Sequence, residues 1–408
     1  MEATNQLIFF CGLLLCAAIF ASFVSRRIGA PLLVTFLVVG ILFGEDGPGG
    51  IVFNDVPLSY LACSFALAII LYDGGIHTPM ANFRQALRPA VILASIGVLV
   101  TTSVVALGMW AILGTDPLYA LLLGSLVAST DAAAVFLLLR QQGIKLKPAV
   151  SNTLEVESGV NDPMAIFLAL TFTGLILSGG TGEAIDAVWT VPAGFLQQFA
   201  IGALLGVAGG RLLTFIYDRI QLELGLNPIF ALASGLLIFG AANILGGSGF
   251  LAVYLAGLIL GNHAYRAKQV VKQFMDGIAW LAQLAMLLIL GLLVTPSHLV
   301  ADIPEALLIS AILIFVARPA AVFISLAFEK FTWREKVFIS WVGLRGAIPI
   351  YLAIIPVLLG VPGNFFNIAF LVVLVSLVLQ STTVGLLSRW LGIGEAPEPA
   401  VPEVPAQA

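Results

Sequence analysis

Two short polar stretches carry the chemistry of this chain: Ser129-Thr130-Asp131 and Ser158-Gly159-Val160-Asn161-Asp162-Pro163. Both sit inside long apolar runs. A carboxylate at the centre of a bilayer costs roughly 2.5–3.5 kcal/mol on insertion scales, so such residues mark ion or proton pathways. Glu155, Ser158 and Asp162 are spaced i, i+3, i+7 and share one helix face, with Asn161 beside Asp162. Pro163 has no N–H and releases the carbonyl of Gly159. Carboxylate, amide oxygen, hydroxyl and free carbonyl are hard oxygen ligands suited to an alkali or alkaline-earth cation. Thr130 and Asp131 add a hydroxyl and a second carboxylate. A carboxylate at this depth is neutralised by a bound proton or by a bound cation, so the two compete for Asp162. Coupled to alternating access, that competition makes an exchanger.

The elements that must hold these groups are membrane spans. Of 408 residues, 60% are hydrophobic and 10% charged, and the mean hydropathy is +1.08. A soluble domain carries about 25% charged residues, so the chain is an all-α, polytopic membrane protein. A net charge of −4 points to no nucleic-acid partner. No Walker motif or nucleotide fold is present, so no nucleotide and no cofactor is expected, and transport is passive or driven by an ion gradient. The chain is not expected to be an enzyme: Ser248, between Gly247 and Gly249, has no histidine within a span to serve as its base. Cys11, Cys16 and Cys63 all lie in apolar runs and read as small buried hydrophobes. Glu2 precedes the first apolar run but no Lys or Arg does, so that run reads as a retained span.

A helix needs about 20 apolar residues to cross a bilayer. Thirteen runs qualify, at roughly 6–24, 28–44, 57–73, 89–113, 117–139, 149–178, 192–217, 227–245, 249–263, 277–295, 303–327, 335–359 and 364–388. The second and ninth are short. Basic residues test the count. Lys and Arg fall only in odd-numbered loops, among them Arg26, Arg84, Arg140, Lys145, Arg219, Lys268 and Lys330, while even loops carry acids such as Asp46, Asp116, Glu183, Asp186 and Asp302. By the positive-inside rule the N-terminus is periplasmic or extracellular and the C-terminus cytoplasmic. Residues 393–408, rich in Pro, Ala and Glu, read as a disordered tail.

Two arginines are left over from that sorting, Arg318 in span 11 and Arg345 in span 12. Arg318 needs a carboxylate partner at depth. Glu157, Glu155 and Asp131 are candidates, with Glu157 favoured because it lies four residues from Asn161. Arg345 pairs with an acid of span 6 or sets the local potential. Its surroundings, Gly343-Leu344-Arg345-Gly346-Ala347-Ile348-Pro349, are rich in helix breakers. A seven-span offset pairs span 5 with span 12, and an odd offset inverts topology. Broken helices at corresponding positions of inverted repeats point to a midplane binding site. Repeat one is placed at about 6–178, a linker span at about 192–217 and repeat two at about 227–388. Gly202, Gly206 and Gly210 are spaced for close helix packing, either internal or between subunits. His77, His263 and His298 read as loop residues.

The stretches STDAAAVF (129–136), LEVESGVNDPMAIFL (154–168), VARP (316–319) and WVGLRGAIPI (341–350) resemble the NhaP-type cation/proton antiporters of cation:proton antiporter family one. The resemblance covers nearly all of residues 1–392, and LAIILYDGG and GSGFLAVYLAGLILGN are most similar to the potassium/proton subgroup. It implies an NhaA-like inverted-repeat fold with thirteen spans, spans 5 and 12 broken and crossing at the midplane, and a homodimer in a bacterial inner membrane. It implies that Asp162 binds the transported alkali cation or proton, with Thr130, Asp131 and Ser158 in the same site. Asn161-Asp162 matches the electroneutral branch, which implies 1:1 exchange. Glu157 and Arg318 match a structural ion pair. Asp73 falls where some relatives place a Glu that reaches the ion, but its side chain is one carbon shorter. The expectation is therefore exchange of K⁺, with Na⁺ a close second, for H⁺. A sodium(lithium)/proton antiporter is the alternative, and from another class a cation channel.

Overall fold

The computed structural model describes residues 2–28, 31–141, 144–179, 184–220 and 222–395. Glu183 lies outside them, as does the expected tail from residue 396 onward. Helix α1 (Glu2–Ile28) and the short α2 (Leu32–Phe43) precede α3 (Val56–His77). Helices α4 (Met80–Ile92) and α5 (Val98–Leu113) form one rod joined by a π-helical turn at Leu93–Gly97. Helices α6 (Pro117–Leu126) and α7 (Ala132–Gln141) are separated by a non-helical break. Next come α8 (Pro148–Leu177), α9 (Ala184–Arg219), α10 (Leu226–Ile244), α11 (Gly249–Asn262) and α12 (Lys268–Leu292). A second bulged rod contains α13 (Pro296–Leu299), α14 (Ile303–Ile312), a π-helical turn at Leu313–Ala317 and α15 (Arg318–Ser325). Helices α16 (Trp333–Trp341) and α17 (Ile348–Leu358) flank a second break, and α18 (Phe365–Leu391) closes the series.

Among the described residues, nine helical rods are long and apolar enough to cross a membrane. Helices α2, α6, α11 and α17 are apolar but shorter. The helix ends follow local chemistry. Asp116 accepts from the amide of Leu118 at 2.9 Å ahead of Pro117 and so starts α6, as an N-cap acceptor should. Ser248 caps α11 in the same way, which gives that serine a structural use. Thr332 and Glu335 close a reciprocal capping box on α16. On the Asp46 loop, the amide of Ser297 donates to the carboxylate at 2.7 Å and holds it below the usual carboxylate range.

Packing corrects or refines several expectations. Cys63 is buried, but Cys11 and Cys16 are exposed: α1 keeps much of its apolar surface outward, including Phe9, Ile19 and Phe20. A β-carbon on Gly202 or Gly206 would collide with Ser248, the N-cap of α11, or with Ala252, and one on Gly210 would press on Ala256 and Ile259, so the stripe serves packing within the chain. The chain after α18 is ordered further than expected. Gly392 takes a left-handed conformation (φ 66°), and β2 (Gly394–Glu395) then pairs antiparallel with β1 (Lys145–Leu146).

Candidate ion-binding site

The two breaks meet. The amide of Asp131 donates to the carbonyl of Leu344 at 2.8 Å. Nη1 of Arg345 donates to the carbonyls of Ala128 and Ser129, both at 2.7 Å. These carbonyls lie just past the C-terminal end of α6, where unsatisfied acceptors concentrate negative partial charge. Arg345 therefore pairs with helix-end carbonyls rather than with an acid of span 6. A broken helix supplies acceptors that have no letter of their own in the sequence. Arg345 is 1% exposed. Its own amide donates to Ser376 Oγ at 3.0 Å. Ser376 in turn donates to Gln380, and Gln380 Nε2 donates to the carbonyl of Trp341 at 2.6 Å. Helix α18 thus braces the second break through two residues that the sequence reading did not single out.

Two glycines let the breaks close. A β-carbon on Gly346 would overlap the Asp131 carboxylate, and one on Gly343 would lie 2.6 Å from Arg318 Nε. The breakers flanking Arg345 thus leave room for an acid on one side and a base on the other.

Helix α8 carries the site. Asp162 and Asn161 are each 1% exposed. Ser129 Oγ donates to Asp162 Oδ1 at 2.5 Å. Asn161 Nδ2 donates to Thr130 Oγ1 at 2.6 Å, and Asn161 Oδ1 is buried with no hydrogen-bond partner among the described residues. Ser158 Oγ donates to the carbonyl of Thr130 at 3.0 Å and accepts from the amide of Ala132 at 3.2 Å. Asp131 Oδ1 accepts from the amide of Ala134 at 3.2 Å, which makes Asp131 the N-cap of α7. Helix α8 runs unbroken through Pro163. At Gly159 the missing side chain admits the ring of Tyr254 from α11.

Glu157 and Arg318 form a two-pronged buried pair, with Nη1–Oε1 at 2.6 Å and Nη2–Oε2 at 3.0 Å. The fork matches a carboxylate in both charge and geometry. Arg318 stands directly after the π-helical turn Leu313–Ala317 and before Pro319. Glu155, four residues on from Ser151 and nearer the start of α8, accepts from Thr78 Oγ1 at 2.9 Å.

Asp73 is not brought to this group by any hydrogen bond or ion pair among the described residues. Its carboxylate lies 3.1 Å from His77 Nδ1, one turn along α3. The short side chain closes onto its own helix, where a longer one would reach further. Ser129 is the converse case. It stands in the polar stretch that marks the first break, yet nothing in its letter distinguishes it from Thr130 or Ser158. Only the geometry of the break turns its hydroxyl toward Asp162.

The first break and α8 together carry a buried carboxylate, hydroxyls and an amide oxygen without a partner among the described residues, the donor types that suit a hard cation. The sodium/hydrogen exchanger transmembrane family matches residues 13–390, and the chain belongs to that family. It is 45% identical over 405 residues to the K(+)/H(+) antiporter NhaP of Alkalimonas amylolytica, covering 99% of this chain and 70% of that one. It is 44% identical over 401 residues to the K(+)/H(+) antiporter NhaP2 of Shewanella baltica, covering 98% and 69%. The fold is similar to that of the sodium proton antiporter MjNhaP1 of Methanocaldococcus jannaschii, with a TM-score of 0.80 at 22% identity over 96% of this chain and 99% of that one.

Proposed function

We propose that this protein exchanges a monovalent cation for a proton across a bacterial inner membrane, one for one, by competition of the two ions for Asp162. One observation carries the reading: the balance of charge around the two breaks, where Glu157, Asp162, Arg318 and Arg345 are buried and Asp131 is half-buried. Around the two breaks lie three carboxylates, Asp131, Glu157 and Asp162, and two guanidiniums, Arg318 and Arg345. With all ionised, one negative charge is left over. A single proton or a single alkali cation neutralises it, and the neutral cluster is the one that can change its exposure within a low-dielectric bilayer.

Glu157 is committed to Arg318, and Asp131 caps α7, so Asp162 is the carboxylate left to titrate. Asn161 contributes an amide oxygen without adding charge, which keeps the stoichiometry at one. Thr130 and Ser158 complete the oxygen set. Asp73, whose carboxylate contacts His77, is kept as an outer candidate of the same site. The thirteen-span reading counts α6 with α7, and α16 with α17, as single broken crossings. The inverted repeat is supported by the matching breaks and by matching π-helical turns in spans 4 and 11. The N-terminus lies outside and the C-terminus inside by the distribution of basic loop residues, and the protein is a homodimer, as the family resemblance implies. Potassium is the favoured substrate, because the relatives at 44–45% identity bear potassium/proton names; sodium is the alternative.

The test is proton flux in proteoliposomes, with K⁺, Na⁺, Li⁺ and Rb⁺ titrated at several pH values. Asp162→Asn removes the titrating charge and is expected to abolish cation-induced proton release. Activity near wild type in a folded Asp162→Asn protein would remove the central claim.

A further inference from the structure

Helix α3 meets its neighbours in two different ways. Against α11 it is locked by glycines. A β-carbon on Gly75 would overlap the carbonyl of Tyr254, one on Gly257 that of Tyr72, and one on Gly261 that of Ile76. Small residues here bring the two backbones into direct contact. Against α17, the second half of the second broken span, the contact is made by side-chain tips. The rings of Tyr60 and Tyr351 stack with centroids 5.6 Å apart. Ser64 Oγ donates to the carbonyl of Tyr60 at 2.7 Å and lies 2.9 Å from Tyr351 Oη. With its one hydrogen spent, Ser64 accepts and Tyr351 donates. Phe250 of α11 meets Tyr351 edge to face, and Tyr351 is 1% exposed. Flat rings and one neutral hydrogen bond make a seam that parts at small cost.

The seam stands at the inner end of a cleft. The cleft measures about 180 Å³, and its walls include Asn54 and Val56 at the start of α3 and Ile354 and Val357 of α17. On α3, Val56, Tyr60 and Ser64 follow at i, i+4, i+8 and share one face. On α17, Val357, Ile354 and Tyr351 follow at three-residue steps back toward the break that holds Arg345. Both helices therefore run from the cleft to a tyrosine in the direction of the site. The opposite end of α3 touches α8 through Thr78 and Glu155, away from the cleft. Resting on the exchange reading and its orientation of the chain, we infer that Tyr60, Ser64 and Tyr351 form the outer closure of the ion path. The seam separates the buried site from the cleft and parts when the site faces outward. Once parted, its phenol and serine oxygens and its ring faces line the route, groups that attract a cation shedding water.

The experiment uses the full chain with Cys11, Cys16 and Cys63 replaced by alanine and a single thiol placed by Leu67→Cys. Leu67 is 1% exposed and follows Ser64 by three residues, on the same face of α3 and on the site side of the seam. A membrane-impermeant maleimide is added to right-side-out vesicles, and the rate of labelling is read with K⁺ present. Tyr351→Phe keeps the ring and removes the hydrogen bond to Ser64. Labelling from the outer face is expected to quicken by about twofold to tenfold, the shift in open population that one neutral hydrogen bond sets. In everted vesicles, where the reagent meets the inner face, no such rise is expected.

An unchanged outer labelling rate in Tyr351→Phe overturns the inference. So does a rise that is equal from both faces, which is the mark of a generally loosened protein, or a rise from the inner face alone. Should Tyr351→Phe fail to fold, Ser64→Ala removes the same hydrogen bond from the other side and is read in its place, with the same rise expected. The labelling needs no turnover to be scored, so proton flux in Asp162→Asn separates the two claims. Exchange that survives in Asp162→Asn sinks the reading of Asp162 and leaves the labelling result to stand by itself. Exchange that is lost there, with an unmoved labelling rate in Tyr351→Phe, sinks only the role of the seam.

Discussion

The two breaks each interrupt a helix, and their chemistry is opposite. The first, between α6 and α7, reads Val127-Ala128-Ser129-Thr130-Asp131 and is polar and anionic. The second, between α16 and α17, reads Val342-Gly343-Leu344-Arg345-Gly346-Ala347 and is small and cationic. Each interrupts a helix and frees carbonyls. At the first break the hydroxyls of Ser129 and Thr130 meet Asp162 and Asn161 of α8, the Thr130 carbonyl accepts from Ser158, and the Asp131 carboxylate caps α7. At the second, the one charged side chain reaches across and covers the carbonyls of the first. The difference separates two tasks. In the proposed reading the first break presents ligands. The second neutralises helix-end charge and supplies glycine clearance so that the first can sit close.

That division predicts which property each substitution costs. The largest effect is expected at Arg345. Arg345→Ala leaves the carbonyls of Ala128 and Ser129 buried without a donor, at about 1–3 kcal/mol each. A large fall in the melting temperature of the detergent-purified protein is expected, together with loss of exchange. Arg345→Lys restores a charge but not the planar fork, and should recover only part. Asp131→Asn is the mirror experiment. The amide oxygen can still accept from Ala134, so stability is expected to stay within about 1 kcal/mol while exchange falls sharply. If Arg345→Ala melts like wild type, or Asp131→Asn unfolds, the division of tasks is wrong.

Glycine clearance comes next. Gly346→Ala drives a methyl into the Asp131 carboxylate, a strain of about 1–3 kcal/mol by the usual cost of overpacking. Because the displaced group belongs to the first break, exchange should fall more than stability does. Purified Gly346→Ala with a near-normal melting temperature and full transport would show that the two breaks are further apart in the working protein than they are here.

A third measurement bears on the charge balance that the two breaks share. If one uncompensated negative charge is neutralised in turn by a proton and by one cation, no net charge crosses per cycle. An imposed membrane potential, worth about 2.3 kcal/mol per charge per 100 mV, should then leave the direction and rate of exchange unchanged. A clear dependence on potential would mean that a second group among Asp131, Glu157 and Arg345 titrates during the cycle.

Much of this was legible in the residues. Charge at depth marked both breaks, because insertion cost makes such residues rare unless they are used. The leftover arginines could be found because every other basic residue fitted the loops. Glu157 stood out as a partner for Arg318, and the structure brings the two together with both prongs of the fork engaged. Three features were not legible, each for a physical reason. The acceptors for Arg345 are main-chain carbonyls exposed by a break, and any residue type could have provided them. The π-helical turns at Leu93–Gly97 and Leu313–Ala317 lie in ordinary apolar sequence. They widen a turn without asking for a particular side chain, so their matching positions in spans 4 and 11 emerge only in three dimensions. The third is the contact of Asp73 with His77 one turn along α3, since which neighbour a short acid side chain meets depends on the local packing.

The smallest expected effect lies where the start of α8 meets the first half of the second broken span. Lys147, just before α8, lies 3.2 Å from Glu335 of the α16 capping box. Lys147 is 48% exposed at its side chain and Glu335 only 11%. The pair therefore joins the helix that carries Asp162 to the first half of the helix that carries Arg345. An exposed pair of this kind contributes about 0.2–1 kcal/mol, and Glu335 keeps its amide bond to Thr332 whether or not the lysine is present. Lys147→Ala should therefore lower stability by no more than about 1 kcal/mol and leave exchange unaltered, with the deficit shrinking in high salt as screening removes the attraction. The double-mutant cycle with Glu335→Gln isolates the coupling from the loss of the cap. A coupling confined to stability means that α8 and α16 stay together throughout the cycle, as two parts of one rigid unit. A coupling that appears in the exchange rate instead means that this contact opens and closes with each turnover, and that α8 and α16 move relative to one another during exchange.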